Sequence, residues 1–318
     1  MKQFLLSFLL LICSQSLFAQ NPDTITVTIP AGKFDLAAEI VKPAGLRAGE
    51  KIPAVIFVVG SRISSFRTNY RSFWKYFLGD FAGKNGIAVV NFDKRGVGNS
   101  TGKWYKATLE DRAADTYAVA RYLKKLDYID PNRIIVIGHS QGGWIVQHCL
   151  AHYPDAFAGG VSMAGATFSV QNQLINDFRS ELICQENLPE AEAHRRARKK
   201  KNRILFFTAL LPFKENWVQL NKIKRYDIQP FLTKIEKPLL YMWGENDQLI
   251  DYRWCLESLH KALGPDLPTH IETYIGEKQN HSFELSEFCP GAEYKRRNYS
   301  EESRQKMHTW VVKLAGVE

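Results

Sequence analysis

The sequence predicts an α/β fold in which a mostly parallel sheet of eight strands carries helices on both faces and a helical segment is inserted late in the chain. Three observations predict it. Short apolar runs, of the kind buried in parallel sheets, alternate with longer helical stretches. One run passes through Gly138-His139-Ser140-Gln141-Gly142 into a helix. The regular spacing is broken once, between Met163 and Leu239.

Residues 24–29 and 34–41 flank the turn-like Ala31-Gly32-Lys33 and read as an antiparallel hairpin. Apolar runs follow at 54–59, 88–92, 134–137, 159–163 and 239–243, with a weaker one at 270–275. Helical stretches lie around 70–84, 109–126, 142–152 and 252–262. Residues 168–231 are rich in helix formers and basic residues, with Pro189, Pro212 and Pro230 as breakers. They read as a helical cap inserted into a core of 20–167 and 232–318.

Composition sets the class. Of the 318 residues, 45% are hydrophobic and 24% charged, which excludes disordered and collagen-like chains. The first residues carry Lys2, an apolar run over 4–12, and Leu17-Phe18-Ala19 before Gln20. That is the layout of a secretory signal peptide, 1–19, and the run is too short to span a bilayer. Ile12 argues against Cys13 as a lipidation site, and no later segment is long and apolar enough for a transmembrane helix. The protein is therefore expected to be secreted or periplasmic. Cys149, Cys184, Cys255 and Cys289 would then meet an oxidising environment, as disulfides or as buried thiols.

The net charge of +9 is concentrated in His194-Arg195-Arg196-Ala197-Arg198-Lys199-Lys200-Lys201-Asn202-Arg203. Such a run could bind nucleic acid or an anionic membrane surface, but Glu190 and Glu192 precede His194 and Arg196 by four residues, so it reads as the solvated face of a helix. No nucleic-acid motif accompanies it.

The chemistry centres on the glycine-flanked serine. A very tight strand-to-helix turn leaves no room for side chains at Gly138 and Gly142, lifts the Ser140 hydroxyl above the strand ends, and aims the N–H of Gln141 at the same space. A serine needs a base to take its proton and a third group to hold that base. Those partners are expected on loops after the last strands. Gly244-Glu245-Asn246-Asp247 follows one strand, offering Asp247 as the acid with Glu245 as the alternative. His281 lies on the loop after the final strand and is the base. His139 shapes the site. His148 and His152 form a surface pair with no acidic partner motif for a metal. A second oxyanion donor is expected from the loop after 54–59, with the N–H of Ser61 first and Arg62 next.

The Gly-His-Ser-Gln-Gly turn, the later Gly-Glu-Asn-Asp and Asn-His-Ser, and Phe92-Asp93-Lys94-Arg95-Gly96-Val97-Gly98-Asn99-Ser100-Thr101-Gly102 together resemble bacterial α/β-hydrolases of the serine aminopeptidase-like and acyl esterase groups. The resemblance runs from Thr24 to the C-terminus, the cap excepted. It implies a serine hydrolase acting on a small-molecule ester or acyl substrate without metal or cofactor. Exopeptidase activity and a non-catalytic binding role are the competing classes. It also implies that the segment from Asp93 frames the edge of the site, with Asp93 and Arg95 in an internal salt-bridge network. Arg62 stands where such relatives commonly carry a glycine. In the cap, Phe206, Phe207, Phe213 and Trp217 are candidates for an apolar acyl pocket. Glu181, Glu186, Glu190, Glu192 and Glu215 are candidates to hold a substrate ammonium.

Overall fold

The computed structural model describes residues 22–211 and 213–317, so the expected leader lies outside the described residues. Eight strands form one sheet in the order β1-β2-β4-β3-β5-β6-β7-β8. Strands β1 (Asp23–Ala31) and β2 (Phe34–Lys42) make the expected hairpin, and β2 runs antiparallel to β4 (Ala88–Phe92). All other neighbours are parallel: β3 (Ile52–Val58), β5 (Ile129–His139), β6 (Gly159–Met163), β7 (Leu239–Gly244) and β8 (Ile271–Gly276).

Side-chain alternation along the strands divides the core in two. In β3, Ala54, Ile56 and Val58 face one cluster while Val55 and Phe57 face the other. The first is covered by α2 (Leu109–Leu123), α3 (Gln141–His152) and α7 (Tyr252–Leu263). The second is covered by α1 (Arg71–Lys84) and by α8 (Glu301–Ala315), through Met307, Val311 and Ala315. Because both faces are dry, the central strands are continuous apolar runs, which is what made them legible. The sequence places His308 on a surface helix without bounds; α8 is that helix, with Ser300 as its cap, Glu301 and Glu302 in its first turn, and Gly316 ending it in a left-handed conformation.

Between β6 and β7 the chain forms α4 (Val170–Glu186), α5 (Glu190–Leu210) and α6 (Glu215–Ile223). Among the ties that hold these helices to the sheet domain, two lie on α4. Cys184 on α4 is disulfide-bonded to Cys289, while Cys149 and Cys255 are buried thiols. Arg179 on α4, itself buried, pairs at 2.8 Å with the buried Asp251 that caps α7. Burial raises the Asp251 carboxyl, but hydrogen bonds from Arg253 and Arg179 outweigh it and leave the group below its ordinary value.

His148 departs from expectation. It is 3% exposed, stacked on His152 and covered by Phe231 and Tyr226. The pair lies under the short turn Gln229–Lys234, which the helical pattern of 142–152 alone could not reveal.

Candidate active site

Loops at the carboxyl ends of β3, β5, β7 and β8 converge over one edge of the sheet, the usual place for ligands in such folds. Strand β5 ends at His139 and α3 begins at Gln141, so Ser140 alone makes the turn, with φ 59° and ψ −122°. A non-glycine residue there costs about 1–3 kcal/mol and persists only where its surroundings enforce it. The Ser140 N–H donates to the Met163 carbonyl and the Ser140 carbonyl accepts from Gly143 N–H, each at 2.8 Å. A Cβ on Gly138 would sit 2.2 Å from the Gly142 carbonyl oxygen, and one on Gly142 would sit 2.1 Å from that of Val58. Both obstacles are backbone atoms that cannot swing aside. Gly142→Ala is therefore expected to destabilise the fold by about 3 kcal/mol and to displace Ser140, read as a lower thermal midpoint together with lost ester turnover.

His281 Nδ1 lies 2.7 Å from Asp247 Oδ2. The other carboxylate oxygen, Oδ1, accepts from the N–H groups of Leu249 at 2.7 Å and Ile250 at 3.0 Å. Asp247 is thus fixed and buried, and its charge is compensated by donors on both oxygens. Glu245 is turned elsewhere and accepts from the N–H of Lys278.

His139 braces the opposite side of His281. Its Nε2 lies 2.7 Å from the His281 carbonyl oxygen and its Nδ1 lies 2.8 Å from the Tyr70 hydroxyl. Burial, and then the adjacent His281 ring, push His139 down to about 3, so the imidazole is neutral at physiological pH. A carbonyl only accepts, so Nε2 carries the proton and Nδ1 accepts from Tyr70. The neighbour of Ser140 therefore fixes the backbone of His281.

The loop after β3 has a shape that Arg62 does not prevent. Arg62 adopts φ 57°, taking the left-handed conformation that glycine usually supplies. From beneath, buried Arg112 on α2 donates to the carbonyls of Val59 (2.6 Å) and Gly60 (3.3 Å) and to Gln141 Oε1 (2.5 Å). Buried Lys94 donates to the Gly60 carbonyl at 2.8 Å. In a trans peptide the C=O and the following N–H point in opposite directions. With the Gly60 carbonyl drawn into the interior, the Ser61 N–H points away from it, and Ser61 lines the same cavity as Ser140. The same logic applies one turn away, where the Ser140 carbonyl is held within α3 and the Gln141 N–H faces outward.

Lys94 belongs to the segment expected to frame this edge. Asp93 and Arg95 occupy two separate networks there. Asp93 accepts from Ser65 at 2.6 Å and pairs with Arg67, while Arg95 pairs with Asp115 at 2.6 Å and Asp111 at 3.4 Å.

Above these groups lies a cavity of about 580 Å³. Ser140, Gln141, Ser61 and His281 line its polar end, and Trp144, Val170, Leu174, Leu220, Ile223 and Ile250 its apolar walls. The apolar residues come from α3, α4, α6 and the loop after β7. Phe206, Phe207, Phe213 and Trp217 are absent from the lining: the first three lie exposed at and just beyond the C-terminal end of α5, and Trp217, on α6, lies under Lys214. None of the five candidate glutamates reaches it either. Glu181 pairs with Lys200, Glu186 with Arg196, Glu190 with Arg179 and Glu192 with Arg195, while Glu215 accepts from Trp104 Nε1. The carboxylate on the cavity wall is Asp177. Desolvation, then repulsion from Glu181, outweigh attraction from His281, Lys200 and Arg62 and raise it to about 6.

Comparison with known proteins agrees with this architecture. Residues 74–316 match the family model described as the prolyl oligopeptidase family. A rat mitochondrial palmitoyl-protein thioesterase, ABHD10, is 19% identical over 247 residues, covering 78% of this chain and 76% of that protein. The mouse acylamino-acid-releasing enzyme is 21% identical over 76% of this chain, which spans only 30% of its length. Among solved structures, ferulic acid-bound Est1E of Butyrivibrio proteoclasticus shares the fold with a TM-score of 0.60, at 18% identity over 91% of this chain and 99% of that one. The chain belongs to the prolyl oligopeptidase family and is a serine hydrolase with the α/β-hydrolase fold.

Proposed function

We propose that the protein hydrolyses a carboxylic ester or related acyl bond through Ser140, His281 and Asp247. The observation that carries this reading is the 2.7 Å contact between His281 Nδ1 and an Asp247 carboxylate whose other oxygen accepts two backbone N–H groups, on a histidine that lines the same cavity as Ser140. Asp247 fixes the tautomer with the proton on Nδ1 and leaves Nε2 as the base. Ser140 loses its proton to His281 and attacks the carbonyl. The N–H groups of Gln141 and Ser61 meet the oxyanion. His281 then protonates the leaving group, and water repeats the sequence on the acyl-enzyme. Residues 168–231 act as a cap whose α4 and α6 side chains select the acyl group.

A second reading, cleavage of an aminoacyl bond, draws support from Asp177, which offers a charge to a substrate ammonium. The two separate on p-nitrophenyl esters of increasing chain length assayed beside aminoacyl-p-nitroanilides. Ester preference is expected; faster anilide cleavage overturns it. An ammonium is attracted only by ionised Asp177, so for an amine-bearing substrate KM should rise as pH falls through about 6. Asp177→Asn should abolish that dependence and leave neutral esters unaffected.

We also infer export, with cleavage after Ala19. The leader-like layout supports it, as does the Cys184–Cys289 disulfide, a bond that persists in oxidising compartments. The intact mass of protein recovered outside the cytoplasm should correspond to a chain beginning at Gln20.

A further inference from the structure

The aromatic residues expected inside the cap lie on its surface. Phe206 is 61% exposed, Leu210 59% and Phe213 82%, and Phe207 and Leu211 are also exposed. Single exposed apolar residues are ordinary, but this many within 206–213 are not. The rest of α5 shows what the patch belongs to. Arg196, Lys199, Lys200 and Arg203, followed by Phe206, Phe207 and Leu210, recur at spacings of three and four and share one helix face. Ala193, Ala197 and Thr208 are buried on the other side. The basic part of this face borders a cleft of about 360 Å³ between α4 and α5, lined by the four cations with Leu182 and Glu186. Arg196 and Lys200 pair with Glu186 and Glu181, whereas Lys199 and Arg203 form no ion pair among the described residues.

We propose that this face of α5 docks the protein on the surface of an anionic phospholipid bilayer. Phe206, Phe207, Leu210 and Phe213 enter the acyl boundary, and Lys199 and Arg203 take headgroup phosphates. The dimensions fit. Interfacial helices bury apolar side chains about 5–10 Å deep, and Arg203 lies about 4.5 Å along the axis from Phe206. A modest tilt therefore places the tip among acyl chains and the cations among phosphates. No helix among the described residues is long and apolar enough to cross a membrane, so the contact is peripheral. A second copy of the chain fits the surface poorly, because a two-fold contact would set one basic face against another. Helix α6, next in the chain, supplies Gln219, Leu220 and Ile223 to the 580 Å³ cavity.

The test is flotation of the full mature chain with vesicles of phosphatidylcholine alone or mixed equally with phosphatidylglycerol. Binding to the mixed vesicles is expected to exceed binding to neutral ones at least tenfold and to weaken with salt. Phe206→Ser with Phe207→Ser, and separately Lys199→Glu with Arg203→Glu, should each lose about tenfold or more. A Phe206→Trp reporter, read as the difference from wild-type protein with its seven tryptophans, should shift its emission to the blue on the mixed vesicles, a positive signal that does not depend on a loss of function. The proposal fails if the two vesicle types bind equally or not at all, if the serine variants bind as the wild type does, or if the reporter does not shift. It also fails if light scattering finds a dimer that the serine variants dissociate.

Discussion

Replacing His281 with alanine should lower kcat at least about 10³-fold, with the fold intact. Asp247 holds the imidazole at Nδ1, and the His139 ring holds the backbone that carries it through the His281 carbonyl. Its removal takes away the base and the acid in one step, so both acylation and deacylation suffer. KM for a short ester should change little, because the apolar wall formed by α4, α6 and Trp144 is untouched. A loss confined to KM would show that His281 only lines the cavity. Circular dichroism should detect no unfolding, since the side chain is partly exposed and its removal opens no core cavity.

The second large effect is expected at a residue that need never touch substrate. Arg112→Met keeps an unbranched apolar stem in a shorter side chain and deletes all its donors. The Val59 carbonyl and Gln141 Oε1 then lose their partners, and the Gly60 carbonyl retains only Lys94. Each unsatisfied buried acceptor costs about 1–3 kcal/mol, and removing a buried cation offsets part of that loss. The larger consequence is orientation. With the Val59 carbonyl released and the Gly60 carbonyl held by Lys94 alone, the Ser61 N–H is held less firmly, and outright loss of one oxyanion donor, about 10²–10³ in kcat, bounds the expected effect. Arg112 is a positioning residue, so the signature is a fall in kcat with KM preserved. Arg112→Lys should recover part of it, because an ammonium reaches one carbonyl but not three acceptors. A fall in kcat that merely follows the loss of folded protein would remove Arg112 from this role.

The legible part of this protein was local. The glycine-flanked serine, the strand-loop positions of Asp247 and His281, and the apolar parallel strands each have a cause within a few residues of sequence. What could not be read arises where distant segments meet. Arg112 lies inside an ordinary amphipathic helix, Tyr70 carries no motif of its own, and Lys94 belongs to a segment whose expected role fell on Asp93 and Arg95. All three became visible only once β3, β4, α1 and α2 were packed together. Asp177 differs from the five glutamates chosen from the cap only in facing inward, a property set by how α4 crosses the sheet edge. Phe206, Phe207 and Phe213 failed as pocket residues for the same reason, since composition does not say which end of α5 clears the protein surface. The bounds of helix α8 carried the standard cap signals but followed a long irregular loop with no neighbouring pattern to draw attention to them.

The most direct test of the account is covalent labelling with a fluorophosphonate, followed by peptide mapping. A single phosphonyl adduct on Ser140, lost in Ser140→Ala and in wild-type protein pre-incubated with a slowly hydrolysed ester, is the predicted result. Ester turnover should vanish with the label. An adduct on any other residue, or ester hydrolysis that survives unchanged in Ser140→Ala, would contradict the assignment of Ser140 as the nucleophile.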